Sequence, residues 1–100
     1  MNAQIKASRT QIADFCRRNH IRRLAFFGSV LRDDFGPDSD IDVLVEFETG
    51  TRVGLIRLAG MEIELSGLLG RKGQIHTVKG LDPRFRDEVL ETAEAQYEQA

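Results

Sequence analysis

Phe26-Phe27-Gly28-Ser29-Val30-Leu31-Arg32 leads through Asp33-Asp34-Phe35-Gly36-Pro37-Asp38-Ser39 into Asp40-Ile41-Asp42-Val43-Leu44-Val45-Glu46-Phe47. An apolar run stops at Gly28-Ser29. A polar, turn-rich segment follows, and a second apolar run opens at Asp40-Ile41-Asp42. In an alternating strand, residues i and i+2 share a face. Ile41, Val43, Val45 and Phe47 are therefore expected against the core, with Asp40 and Asp42 together on the other face, their Cα atoms roughly 6.5–7 Å apart. Two carboxylates held side by side repel, so a fold that fixes them there usually supplies a cation. Oxygen-only ligation favours a hard one such as Mg²⁺.

Upstream, residues 21–27 read as a strand that ends in Gly28-Ser29 and enters a short helical turn over 30–33. Such a turn points free backbone N–H groups outward and makes an anion site. Gly28 lets the backbone approach a phosphate closely, and the Ser29 hydroxyl can donate to a phosphate oxygen. The plainer reading makes Ser29 an N-cap; the two downstream carboxylates favour the phosphate. Two roles stand for Arg32: reaching the same phosphates, or locking the loop by pairing with Asp33, Asp34 or Asp38.

Gly28-Ser29, ten intervening residues, then Asp40-x-Asp42 resembles the signature of the DNA polymerase β-type nucleotidyltransferases, and more narrowly that of the minimal nucleotidyltransferase (MNT) domain proteins. Arg32 and Ser39 match positions in that pattern. The likeness continues through Leu68-Leu69-Gly70-Arg71-Lys72 and Leu81-x-Pro83, so it spans nearly the whole chain. It implies an α+β fold: a small mixed β-sheet packed with helices, in a single domain over residues 1–100. It also implies nucleotidyl transfer, with Gly28, Ser29 and Arg32 on the nucleotide, Asp40 and Asp42 on Mg²⁺, and ATP as substrate. The partner it implies is a HEPN-domain ribonuclease toxin, with AMP transferred to a toxin tyrosine by an antitoxin.

One departure stands out. The third active-site carboxylate of that family falls on a short strand whose flanking motifs place it at Gln74. Gln can be neither base nor bridging ligand. His76, expected on the same face, is a candidate substitute, or else an ordinary strand histidine. A second metal about 3.5–4 Å from the first, which activates the incoming hydroxyl, would keep only Asp40 and Asp42. A neutralising antitoxin with a weakened site is therefore a competing reading. An aminoglycoside-type enzyme is a third, for which 100 residues leave no room for an acceptor domain.

Composition supports an ordinary globular chain, 41% hydrophobic and 30% charged, with one cysteine and so no internal disulfide. No signal peptide and no membrane-length apolar run is expected, which points to a cytoplasmic protein. Residues 1–32 carry seven basic groups and one acid, whereas residues 33–48 carry seven acids and no base. A basic half can mark nucleic acid. The adjoining acidic block and mild overall charge argue against that and suit a basic wall facing a triphosphate. Asp38-x-Asp40-x-Asp42 also imitates an EF-hand start, but Val43 and Thr49 stand where that loop needs Gly and Glu.

The remaining elements follow from periodicity. Ser8-Arg9-Thr10-Gln11 reads as a capping box, on a helix that starts there or nearer Asn2, with Ile12, Phe15 and Cys16 inward and Asn19-His20 closing it. Residues 55–69 read as a helix closed by Gly70. Its core stripe is expected at Leu55, Leu58, Ala59, Leu65 and Leu69, near Glu62 and widened by Ile56 and Ile63, with Glu62 and Glu64 solvated or paired to Arg57 or Arg71. Residues 74–78 form a short strand with Ile75 inward. Asp82-Pro83 begins a last helix whose apolar face runs Phe85, Val89, Ala93, Tyr97.

Overall fold

The computed structural model describes residues 7–32, 36 and 38–99. Helix α1 (Arg9–Arg18) opens with the expected capping box, Ser8 and Gln11 bonding each other's backbone N–H, and closes at Asn19. A start nearer Asn2 lies outside the described residues. Strand β1 (Ile21–Phe27) runs straight into a 3₁₀ turn (Gly28–Leu31). Strand β2 (Ile41–Phe47), helix α2 (Leu55–Leu69), strand β3 (Gly73–Thr77), helix α3 (Pro83–Thr92) and strand β4 (Glu94–Glu98) complete the order. The sheet is mixed, ordered β3-β2-β1-β4, with β2 and β3 parallel and the other pairs antiparallel. The fold is α+β, as the resemblance implied.

Helices α1 and α2 cover one sheet face, where Ile12, Phe15, Leu24, Phe26, Ile41, Val43, Val45, Met61, Leu65, Leu69 and Ile75 form the main core. Phe47 packs at its margin. On the opposite face Phe27, Leu44 and Leu81 make a smaller cluster backed by Val89 of α3. Cys16 is buried, and loss of hydration, only partly offset by Arg17, pushes its thiol up to about 12. It is a structural residue, as expected of a cysteine on an apolar stripe.

Three expectations are overturned. The last helix stops at Thr92, where Ala93 turns extended and Thr92 Oγ1 bonds back to Glu88 O at 2.8 Å. Residues 94–98 instead form β4, pairing Leu24 with Tyr97 and Ala25 with Ala95. Ala, Glu and Gln prefer helix, but the bare backbone edge of β1 gains a partner. Tyr97 thus packs on the main core instead of continuing the Phe85–Val89 line.

The second correction concerns α2, whose buried stripe is Met61, Leu65 and Leu69, with Leu58 partly covered. Leu55 is 85% exposed, Ile56 92% and Ile63 76%. The helix carries apolar residues on two opposite sides, so periodicity alone cannot choose between them.

The third concerns Glu62 and Glu64. Glu62 Oε2 accepts the Ile75 N–H at 2.7 Å, and Ser66 Oγ accepts the Gly73 N–H at 2.9 Å. Four helix residues advance about 6 Å and two strand residues about 6.6 Å, so α2 can satisfy alternate N–H groups along the outer edge of β3. Glu64 pairs with Arg18 at 2.6 Å. Glu62→Ala leaves a part-buried donor bare and is expected to cost about 1–3 kcal/mol. Urea unfolding checks this, and an unchanged midpoint would reject the role.

Candidate active site

Gly28 ends β1 with φ 78°, the left-handed region. In the β1–β2 ladder Phe27 stands opposite Asp42, which brings Gly28 against that carboxylate. A Cβ at Gly28 would lie 2.8 Å from Asp42 Oδ2, so both the backbone angle and the space demand glycine. On the other side, the parallel register sets Asp42 opposite Gln74 and Leu44 opposite His76. His76 Nε2 lies 3.1 Å from Asp42 Oδ1, and Gln74 Nε2 donates to Asp40 Oδ2 at 3.2 Å. Asp42 therefore presents one oxygen to the Gly28 turn and the other to His76.

Asp40 stands one residue ahead of β2 rather than within it. The Ser29 hydroxyl makes a long 3.5 Å contact to the Asp40 carbonyl. Ser29 is no N-cap, since the 3₁₀ turn begins at Gly28 and is capped from Phe27 without a side-chain bond. The His76 ring meets Phe27 edge-on, centroids 5.2 Å apart at 68°. His76 and Asp42 remain 31% and 30% exposed, open enough to meet a ligand.

A cleft of about 650 Å³ opens beside these groups. Gly28, Arg32 and His76 line its polar side, and Leu31, Leu81, Phe85 and Val89 its apolar side. The apolar wall was not foreseen as part of a site. Its signal was the Phe85–Val89 spacing, read as core, yet Phe85 is 54% exposed and borders the cleft. Asp33 and Asp34, the suggested partners of Arg32, lie outside the described residues.

The expected basic wall is not at the site. Arg22 and Arg23 pair with Glu46 at 2.8 and 3.3 Å, and Arg23 also with Glu98 at 3.6 Å, near the start of β1. Gly28 follows that strand's other end. Arg17 pairs with Asp14 and Arg18 with Glu64. Sequence distance hides this, because β2 folds its acids back onto the basic start of β1.

The donor set can be tested for a metal on the side chains themselves. Asp40 and Asp42 are adjacent carboxylates now contacted by an amide and an imidazole. Two carboxylates completed by phosphate oxygens and water suit one Mg²⁺. Among the described residues no group of three or more His, Cys, Asp or Glu is placed to hold a metal. One ion fits these residues; a second lacks its ligand.

A mixed sheet ending in a glycine turn against paired aspartates defines a nucleotidyltransferase-type scaffold. The pattern of the nucleotidyltransferase domain family matches residues 9–95, and the chain belongs to that family. It is 30% identical over 89 residues to the candidate protein adenylyltransferase MJ0435 of Methanocaldococcus jannaschii, spanning 89% of this chain and 94% of that protein. A solved candidate minimal nucleotidyltransferase is 40% identical over 85% of each chain, with a TM-score of 0.69. A toxin–antitoxin structure with AMP-PNP shares the fold at 16% identity and TM-score 0.74, over 92% of this chain and 74% of that one. The MntA–HepT toxin–antitoxin structure does so at 15% and 0.66, over 91% and 70%.

Proposed function

We propose that this chain is a minimal nucleotidyltransferase that binds Mg²⁺–ATP and transfers AMP to a tyrosine of a HEPN-domain ribonuclease toxin, acting as its antitoxin in the cytoplasm. The observation that carries the nucleotide reading is the close approach of Gly28 to Asp42, which leaves backbone and carboxylate facing one phosphate-sized space. The adenylyltransferase named among its relatives, and the AMP-PNP in a structure of the same fold, support ATP and a protein acceptor. Among the described residues no helix is long and apolar enough to cross a membrane.

Each group has a role in this reading. Ser29 Oγ and the N–H groups after Gly28 receive the phosphates, and Arg32 approaches from the cleft wall. Asp40 and Asp42 hold the ion, which when bound neutralises phosphate charge. The acceptor hydroxyl forms a bond to the α-phosphorus as the bond to pyrophosphate breaks. His76 lines the cleft and is placed to take the hydroxyl proton. The apolar wall of Leu81, Phe85 and Val89 suits a flat ring.

A second reading, neutralisation by contact, is favoured by Gln74, whose amide stands where a third anion would assist transfer. Incubating the protein with Mg²⁺, labelled ATP and a co-expressed HEPN partner separates the two: label on the partner supports transfer, and an unlabelled tight complex supports contact alone. Separate peaks in size exclusion at micromolar concentration would reject both.

Asp42→Asn is expected to abolish Mg²⁺–ATP binding in calorimetry, with the fold kept, since the amide is isosteric. Equal affinity in wild type and variant would remove Asp42 from the metal. Ser29→Ala should weaken binding roughly tenfold to a hundredfold, the worth of one hydrogen bond to a charged group.

A further inference from the structure

Helix α2 has an outer face that the chain itself leaves uncovered. Ile56 and Ile63 project from it, 92% and 76% exposed, two turns apart. Gly60 and Gly67 lie between and beyond them on the same side, also exposed. Glycine inside a helix is destabilising, so it needs a reason. Neither glycine has one within the chain: a Cβ at either position would meet nothing within 4 Å. The face therefore alternates large apolar side chains with hollows, and the fold itself uses neither.

The pattern is complementary to itself. Laid antiparallel against a second α2, with a two-fold axis between Met61 and Glu62, Ile56 falls opposite Gly67 of the second copy and Ile63 opposite its Gly60. Each isoleucine enters a hollow, and each contact occurs twice, as an isologous interface requires. The same two-fold brings like flanks together. Arg57 and Glu64 share one flank, so Arg57 of one copy meets Glu64 of the other in both directions. A parallel pairing at equal register would set isoleucine on isoleucine and Arg57 on Arg57.

We propose that the outer face of α2 pairs antiparallel with the same face of a second copy of this chain, forming a homodimer through Ile56, Gly60, Ile63 and Gly67. The dimer leaves the Gly28–Asp42 cleft free, since α2 packs on the opposite sheet face from α3. It needs no nucleotide, so its test is independent of the function proposed above.

Sedimentation velocity on the full chain alone, without ATP, should give twice the 11.3 kDa chain mass at high micromolar concentration. Gly60→Leu should give a monomer that melts no lower than wild type, because it fills a hollow the fold does not need. Mixing Ile56→Cys with Gly67→Cys should yield far more disulfide dimer on oxidation than either variant alone; Cys16, buried, stays out of the assay. A wild-type monomer overturns the proposal, including one that enters a complex only with a foreign chain. So does a Gly60→Leu dimer, or Ile56→Cys crosslinking to itself as fast as to Gly67→Cys.

Discussion

Gln74→Asp is expected to raise AMP transfer about a hundredfold to ten-thousandfold, the range a positioned general base contributes. Gln74 is the cross-strand neighbour of Asp42, and its amide already touches Asp40. An anion there would face both carboxylates, complete the ligands for a second ion and offer a weak base to the hydroxyl. Three clustered carboxylates repel, so the variant should melt lower than wild type in chelator and recover with Mg²⁺. His76→Ala is the companion experiment: loss of the residual rate would show that the imidazole has taken the role. No other carboxylate stands ready to substitute. Glu46 is paired at the start of β1, Glu62 holds Ile75 N–H, and Glu64 holds Arg18. A fast wild type, indifferent to change at both Gln74 and His76, would refute this account of β3.

Gly28→Ala should lower Mg²⁺–ATP affinity by about a hundredfold or more, although the substitution adds one methyl group. The new Cβ would stand 2.8 Å from Asp42 Oδ2 and carry a φ of 78°. The left-handed angle costs roughly 1–2 kcal/mol for an L residue. The clash can be relieved only by moving the Asp42 carboxylate or the turn, and a displacement near 1 Å at a reacting site typically costs on the order of a hundredfold. Calorimetry beside thermal melting checks both effects. Gly36→Ala is the control, since a Cβ there meets nothing within 4 Å. If the two alanine variants bind alike, the close approach at Gly28 has no role in binding.

The central strands were legible because their sequence allows one state. Residues 21–27 and 41–47 are apolar, β-branched or aromatic, and bounded by a positive-φ glycine and a polar turn. The juxtaposition of Asp42, Gln74 and His76 followed from pattern and spacing, and the parallel register of β2 and β3 places them accordingly. The C-terminal segment was not legible. Ala93 to Gln96 favour helix locally, and only the unpaired edge of β1, a long-range fact, makes them strand. The outer side of α2 was misread for the opposite reason, since both its faces are apolar and hydrophobicity there does not imply burial. The arginines were misread because ion pairs are settled by strand pairing, which brings Glu46 to Arg22 and Arg23 across more than twenty intervening residues.

The contacts from α2 to β3 bear on how this chain behaves in a crowded solution. A parallel outer strand exposes a row of donors that any extended peptide, including another half-folded copy, can zip onto. Here Glu62 and Ser66 already occupy the N–H groups of Ile75 and Gly73. An incoming strand would have to displace both and meet a carboxylate that repels its carbonyl oxygens. The helix that builds the core thus also guards the sheet from growing past its own four strands, and the carboxylate at Glu62 keeps the chain from seeding fibrous aggregates.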